Sequence, residues 1–157
     1  MIQLLKAFFV FLAVNFAGLA LGGLFTGPGV QSPWYAALPQ APWTPPGWVF
    51  GAAWTAVMVG FSFFMAGAWT HEANSESRRV WMRLFAASWV LNVGWNPVFF
   101  TWHQPGFALV VIVTLAALVS RLALRAHRLR ASWRWGIAPY LIWLAVATSL
   151  NAYSALA

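Results

Sequence analysis

The sequence predicts an all-α membrane protein, a bundle of five transmembrane helices forming one domain over residues 1–157. Three observations carry that expectation. Of its 157 residues 62% are hydrophobic and only 7% charged, where a soluble domain has about a quarter charged. Five apolar stretches, at 4–26, 46–69, 80–100, 105–127 and 134–156, approach or exceed the roughly 20 residues that a spanning helix needs. The nine Lys and Arg residues sit at the start of the first span or around the second and fourth linkers, so a five-span topology puts them all on one side.

The first span opens near Lys6, and its apolar run passes Asn15 and continues to Phe25. A basic start and small residues also fit a signal peptide cut after Ala20, but the length of the run favours a retained helix. Gly18 and Gly22 form a small-xxx-small step where another helix can approach closely.

Residues 34–54 then hold four tryptophans and four prolines. Proline fixes φ and disfavours helix in the residue before it, so Leu38 to Thr44 should be an ordered, non-helical lid. Pro45-Pro46 suits the start of the second helix, where the missing N–H groups would lack partners anyway. Aromatic side chains on so stiff a segment suit a flat apolar ligand. They equally suit an interfacial aromatic belt.

The linker His71 to Arg79 is the one clearly polar stretch and holds both acidic residues, Glu72 and Glu76. The third span should end at Asn96-Pro97, where proline interrupts the hydrogen-bond ladder. His103-Gln104-Pro105-Gly106 reads as a tight turn into the fourth span. Arg121, Arg125, His127, Arg128, Arg130 and Arg134 form a basic linker before the fifth. Positive-inside bias makes the basic face cytoplasmic, which leaves the N-terminus inside, the lid outside and the C-terminus outside. The same bias explains the net charge of +7 by topology and anionic membrane lipid; nucleic acid is not an expected partner.

Topology also aligns side chains by depth. Phe50, Trp54, Met58, Phe61 and Met65 share one helix face, and Ser88, Asn92, Trp95 and Phe99 a second. Tyr140, Trp143, Ala147, Leu150, Asn151 and Ser154 form a third, all in or near the outer half of the bundle under the lid. Ordinary helix packing, which also uses small residues and Asn, would give the same stripes. Other chemistries are disfavoured. No cysteine is present, so disulfides and thiolate chemistry are absent. No lysine beyond Lys6 lies in a span, which removes a retinal Schiff base, and no spanning carboxylate supports proton-coupled transport. His71, His103 and His127 sit on different linkers, so no pair is expected to grip a metal.

Three blocks resemble the TspO/translocator-protein family, also called peripheral-type benzodiazepine receptors and tryptophan-rich sensory proteins. They are Trp34-Tyr35 followed by Trp43-Thr44-Pro45-Pro46-Gly47-Trp48-Val49-Phe50 and Trp54; Asn92 to Phe100; and Pro139 to Trp143 continuing to Asn151. The resemblance implies a bacterial member, a multi-pass protein of the inner membrane that forms a homodimer. It implies a porphyrin, protoporphyrin IX or haem, as ligand rather than obligatory cofactor, with sterols or benzodiazepine-type compounds as further ligands, and a sensory or translocator role. Carried over by position, the site comprises Tyr35, Pro45, Trp54, Met58, Asn92, Trp95, Trp143, Ala147 and Leu150, with Trp43 and Trp48 in the lid and no metal. Trp54 and Trp143 match a pair linked to light- and oxygen-dependent porphyrin breakdown, which makes a weak degrading enzyme the alternative function.

Three departures qualify the resemblance. Met58 stands where an aromatic is common, and Ala41 replaces a lid proline. The C-terminal sterol pattern is incomplete, with Ala152 in the usual Tyr place, Tyr153 after it and no base following.

Overall fold

The computed structural model describes residues 2–157, and for Arg128 the backbone alone; that side chain of the basic linker lies outside the described residues. Its elements are α1 (Ile2–Val30), α2 (Pro33–Ala37), α3 (Gly47–His71) and α4 (Ser75–Asn96), then a π turn (Pro97–Thr101). There follow α5 (Pro105–Arg125), a 3₁₀ turn (Ala126–Arg128), α6 (Ala131–Arg134), a second 3₁₀ turn (Trp135–Ile137) and α7 (Ala138–Leu156). The expected all-α bundle of five long helices is what forms. Four tracts are long and apolar enough to cross a membrane: Ile2–Val30, Gly47–His71, Pro105–Arg125 and Ala131–Leu156. α4 has the length, 22 residues, but is more polar, because Glu76, Arg78, Arg79 and Arg83 fill its first turns and Asn92 and Asn96 its last.

The long helices close a ring. α1 packs on α3 and α4, α3 on α7, α7 on α5, and α5 on α4. The outward faces carry Phe9, Val10, Leu24, Val110, Val113 and Ile142, all exposed, as a surface solvated by lipid requires. Inside, Phe61, Phe64, Met65, Trp81, Phe85, Leu115, Leu122, Tyr140 and Leu144 form one core. A second, smaller cluster of Val98, Phe99, Phe100 and Ala108 lies towards the lid, packed by Trp34, Tyr35, Leu38 and Trp95.

Close approach within the ring depends on glycine. An added Cβ at Gly18 would fall 2.5 Å from the Trp89 indole nitrogen, and one at Gly22 would fall 2.7 Å from the Asn96 side chain. The small-xxx-small step of α1 therefore seats α4 of the same chain. Gly60 and Gly136 make the tightest backbone crossing: a Cβ on either would meet the other's carbonyl oxygen at 2.5 or 2.6 Å.

Pro97 interrupts α4 as expected but does not end the helical path, which runs on through the π turn to Thr101. Proline cannot donate to the Val93 carbonyl. The Asn96 side chain does so instead, its Nδ2 donating to Asn92 O at 3.0 Å and to Val93 O at 3.2 Å. Asn96 Oδ1 in turn accepts from Thr26 Oγ1 at 2.7 Å, which ties the repaired site to α1. The ladder resumes one residue out of step, with the Trp102 N–H donating to Pro97 O at 2.9 Å. This is how backbone at membrane depth stays satisfied without water.

At the other end, the polar linker is tied to α5. Asn74 caps α4, its Oδ1 accepting from the Glu76 and Ser77 N–H groups. The Ser77 hydroxyl donates to Glu72 and accepts from Arg125 Nη2 at 2.6 Å. The Ser77 hydroxyl and Asn74 N–H, with the Arg125 charge nearby, hold the Glu72 carboxyl below its usual range. Lys6 and every described acidic or arginine side chain lie towards this end, opposite the lid.

The Gly60–Gly136 crossing makes a test of this packing. Gly136→Ala should lower stability by about 1–3 kcal/mol through overpacking. Gly51→Ala, where an added Cβ meets nothing within 4 Å, should raise it by about 0.5–1 kcal/mol. Thermal unfolding in detergent, followed by circular dichroism, measures both.

Candidate ligand site under the lid

The lid is built from local bonds and then fastened to α7. Ser32 caps α2, accepting from the Tyr35 N–H at 3.1 Å, and Pro33 takes the first helical position. After Leu38 the chain is non-helical up to Gly47, as the prolines require. Thr44 closes the bend, its N–H and hydroxyl both donating to Ala41 O at 2.9 and 2.7 Å. Ala41 is buried. Two bonds then reach α7: Trp43 Nε1 donates to Ser149 Oγ at 3.1 Å, and Ser154 Oγ donates to Pro39 O at 2.9 Å. Trp43 also packs edge-on against Tyr153, with ring centroids 5.5 Å apart.

Beneath it the expected residues form two groups. The deeper one joins α3, α4 and α7. Trp54 meets Trp143 at 6.4 Å and Tyr140 at 6.3 Å, in edge-on geometry, and Phe50 meets Trp143 at 5.3 Å. Asn92 Nδ2 donates to the Tyr140 hydroxyl at 2.5 Å. Met58 is buried beside them. The shallower group surrounds Trp95, which stacks on Phe99 at 4.9 Å and meets Phe100 edge-on. Tyr35 belongs here, tilted against Phe100 at 5.7 Å. Trp34 stacks on His103 at 4.2 Å, and His103 has φ 53°, a left-handed backbone that a non-glycine residue adopts at some cost.

Asn151 joins the groups across three helices. Its Oδ1 accepts from Trp95 Nε1 at 2.9 Å, and its Nδ2 donates to Pro105 O at 2.9 Å. Ala147 and Leu150 lie half-buried on the same helix, and Pro45 half-buried in the lid. Trp48 is the exception. It is 75% exposed, because it is the second residue of α3 and faces away from the bundle, so it does not join the other lid residues.

The lid is fastened down over this arrangement. The cavity lined by Asn15, Met58, Trp89, Asn92 and Tyr140 holds about 10 Å³, room for roughly one water molecule. Two polar groups of α7 are nevertheless unmatched: Trp143 Nε1 and Thr148 Oγ1 are buried without a hydrogen-bond partner. A donor left unpaired in an apolar interior costs about 1–3 kcal/mol, so Trp143 carries an unmet donor in the seam.

Asn15 escaped sequence reasoning as a site residue. Its Nδ2 donates to the buried Ser62 hydroxyl at 2.8 Å, bridging α1 and α3 beside the small cavity. The signal was available, since a polar side chain amid the apolar run of a spanning helix faces the bundle interior as a rule. The lid anchors Ser149 and Ser154 gave no comparable signal, because serine is common along any spanning helix. His103 lies at the lid end, and His71, against Trp133, at the opposite end.

The comparisons with known proteins follow the same frame. A model of the TspO/MBR family matches residues 9–156. A translocator protein of Bos taurus is 32% identical over 133 residues, covering 83% of this chain and 78% of that one. The tryptophan-rich protein TspO of Archaeoglobus fulgidus is 32% identical over 151 residues, 96% of this chain and 93% of its own. A tryptophan-rich sensory protein of Cereibacter sphaeroides is 32% identical over 144 residues, 92% and 86% respectively. The match takes in the lid, the π turn and both tryptophans of the deeper group along with all five long helices, and on that extent this membrane protein belongs to the TspO/MBR family.

Proposed function

We propose that the protein binds a porphyrin, protoporphyrin IX or haem, between Trp54 and Trp143, and acts as a sensor or translocator with no obligatory cofactor. One observation carries this reading: the buried indole N–H of Trp143 has no partner and sits in the aromatic seam it forms with Trp54 and Phe50. A flat apolar ligand bearing carboxylates supplies what that seam lacks, ring area for the indoles and an acceptor for the N–H. Because the site is closed, binding requires the lid to lift from α7 and the two indoles to part. Met58, Asn92, Ala147 and Leu150 then line the deeper wall, and Tyr35, Trp43, Pro45 and Trp95 the mouth. Trp48, facing outward, acts as an interfacial anchor. The names of the relatives, translocator protein and tryptophan-rich sensory protein, support sensing or translocation as the role. The incomplete sterol pattern keeps sterols out of the proposal.

The Trp54–Trp143 contact also favours a second reading, oxidative degradation of the porphyrin with dioxygen as oxidant and light as the energy source. Illumination with pigment under oxygen, followed by product analysis, separates it from binding alone.

Orientation and assembly complete the proposal. The basic end lies in the cytoplasm of a bacterial cell, with the lid and C-terminus outside the inner membrane. The protein forms a homodimer. With Gly18 and Gly22 occupied by α4, the interface is assigned to Ala86 and Ala87, both exposed beside Val90 on α4.

Removing either indole should weaken porphyrin binding by about 1–3 kcal/mol, or about 5- to 150-fold. Trp54→Phe and Trp143→Phe should each lose that affinity and most of the ligand-induced quenching, whereas Trp69→Phe, at the basic end, loses neither. Equal effects in all three would mean pigment held on a generic aromatic surface. For orientation, an impermeant thiol reagent on intact cells should label Ser32→Cys strongly; strong labelling of Ser75→Cys instead would sink the assignment. Ala87→Leu should move the detergent-solubilised protein from dimer towards monomer on size exclusion, and an unchanged profile would reject that face.

A further inference from the structure

The basic end holds a groove that the lid-end site does not explain. It encloses about 310 Å³ and is lined by Ala123 of α5, Ala131 and Arg134 of α6, Trp135 and Ile137 of the 3₁₀ turn, and Ala138 and Leu141 of α7. Its origin is the Gly60–Gly136 crossing together with Gly67, which packs against Trp133. Both contacts draw residues 133–136 onto α3. On the α5 side the wall is only a methyl group, that of Ala123, so the gap stays open.

We infer that this groove seats one anionic phospholipid, its phosphate on Arg134 and an acyl chain along Ala123, Ala138 and Leu141. Charge complementarity commits the occupant. The chain has two acidic residues; Glu72 is engaged by Ser77, and Glu76 pairs with Arg79 at 3.3 Å. Arg134 has no carboxylate to meet among the described residues. Arg130, the N-cap of α6, holds a second guanidinium nearby, over Trp133 at 5.5 Å, outside the groove lining. Basic pockets between spanning helices suit phospholipid headgroups for this reason.

The floor specifies the remainder of the ligand. Alanine, isoleucine and leucine offer nothing to a hydrated inorganic anion, and contact favours a hydrocarbon chain. From Ala131 to Leu141 the groove extends ten residues, about 15 Å at helical rise, the depth from headgroup level into the acyl region. Trp135, 73% exposed, stands at the mouth, where an indole meets the membrane–water interface.

Native mass spectrometry of the delipidated full chain, titrated with phosphatidylglycerol and phosphatidylcholine of identical chains, tests the assignment. One phosphatidylglycerol should be retained, preferred by about fivefold for each arginine engaged. Arg134→Gln should cut that preference about fivefold and leave phosphatidylcholine unchanged, and Ala123→Leu, which fills the groove, should lower both. Arg83→Gln removes the same charge from an exposed site on α4 and should alter neither. Equal retention of the two lipids, or equal loss from Arg83→Gln and Arg134→Gln, overturns the proposal. Displacement by inorganic phosphate beyond that by chloride at matched ionic strength would make this a free-anion site and also overturn it.

Discussion

In an apolar solvent a buried polar group must find its partner inside the protein, and between its long helices this chain meets most of that demand with asparagine, Trp143 Nε1 and Thr148 Oγ1 being left over. Asn96 gives the Val93 carbonyl the donor that Pro97 cannot, and passes the connection to Thr26 on α1. Asn15 joins α1 to α3 through Ser62, Asn92 joins α4 to α7 through Tyr140, and Asn151 holds α4, α5 and α7 together. Each link spans two or more helices whose apolar faces would otherwise slide with little preference, since lipid is as apolar as leucine. The ring therefore takes its register from four amides, and the aromatic seam between Trp54 and Trp143 inherits its geometry from them.

That dependence explains why much of the molecule was legible in the sequence. The spans follow from length and apolarity, and the common end of the charges follows from their spacing along the linkers. The non-helical lid follows from its prolines. The failures have local physical causes. The helix through Pro97 continues because a neighbouring side chain repairs the ladder, an event that proline chemistry alone does not announce. Gly18 and Gly22 advertise close approach without naming the partner, which proves to be α4. Trp48 belongs to a tryptophan-rich block yet faces outward, because helical phase at the start of α3 turns it from the seam that Trp54 enters two turns later. Fold is written in composition and periodicity; membership of a site is written in phase, and phase at a helix terminus depends on where the cap falls.

The closed lid constrains how any ligand enters. Of the two bonds from the lid to α7, one uses the partly exposed Trp43 indole and the other the Pro39 carbonyl, and each is worth about 0.5–1.5 kcal/mol net. Lifting the lid thus costs little beside the area that a porphyrin would bury between two indoles. The deeper contacts are different. Phe61, Phe64 and Met65 lie within the core below Trp54, so the opening proposed for the site would end at the seam.

Charge is distributed to match. No Asp, Glu, Lys or Arg lies in residues 30–70 or 84–120, nor beyond 134, so neither the lid nor the seam offers a formal charge to a ligand. Recognition of an acidic group there would have to come from neutral donors, and Trp143 Nε1 and Thr148 Oγ1 are the two such groups buried without a partner among the described residues. Neutral donors recognise a carboxylate less strongly than a guanidinium would, but they do not need a counter-ion when the site is closed and dry, as a buried arginine would. The arginines are instead gathered at the opposite end, where α4 and α5 meet around Ser77 and where water and lipid phosphate are at hand. Formal charge and the aromatic seam are thereby kept towards opposite ends of the bundle.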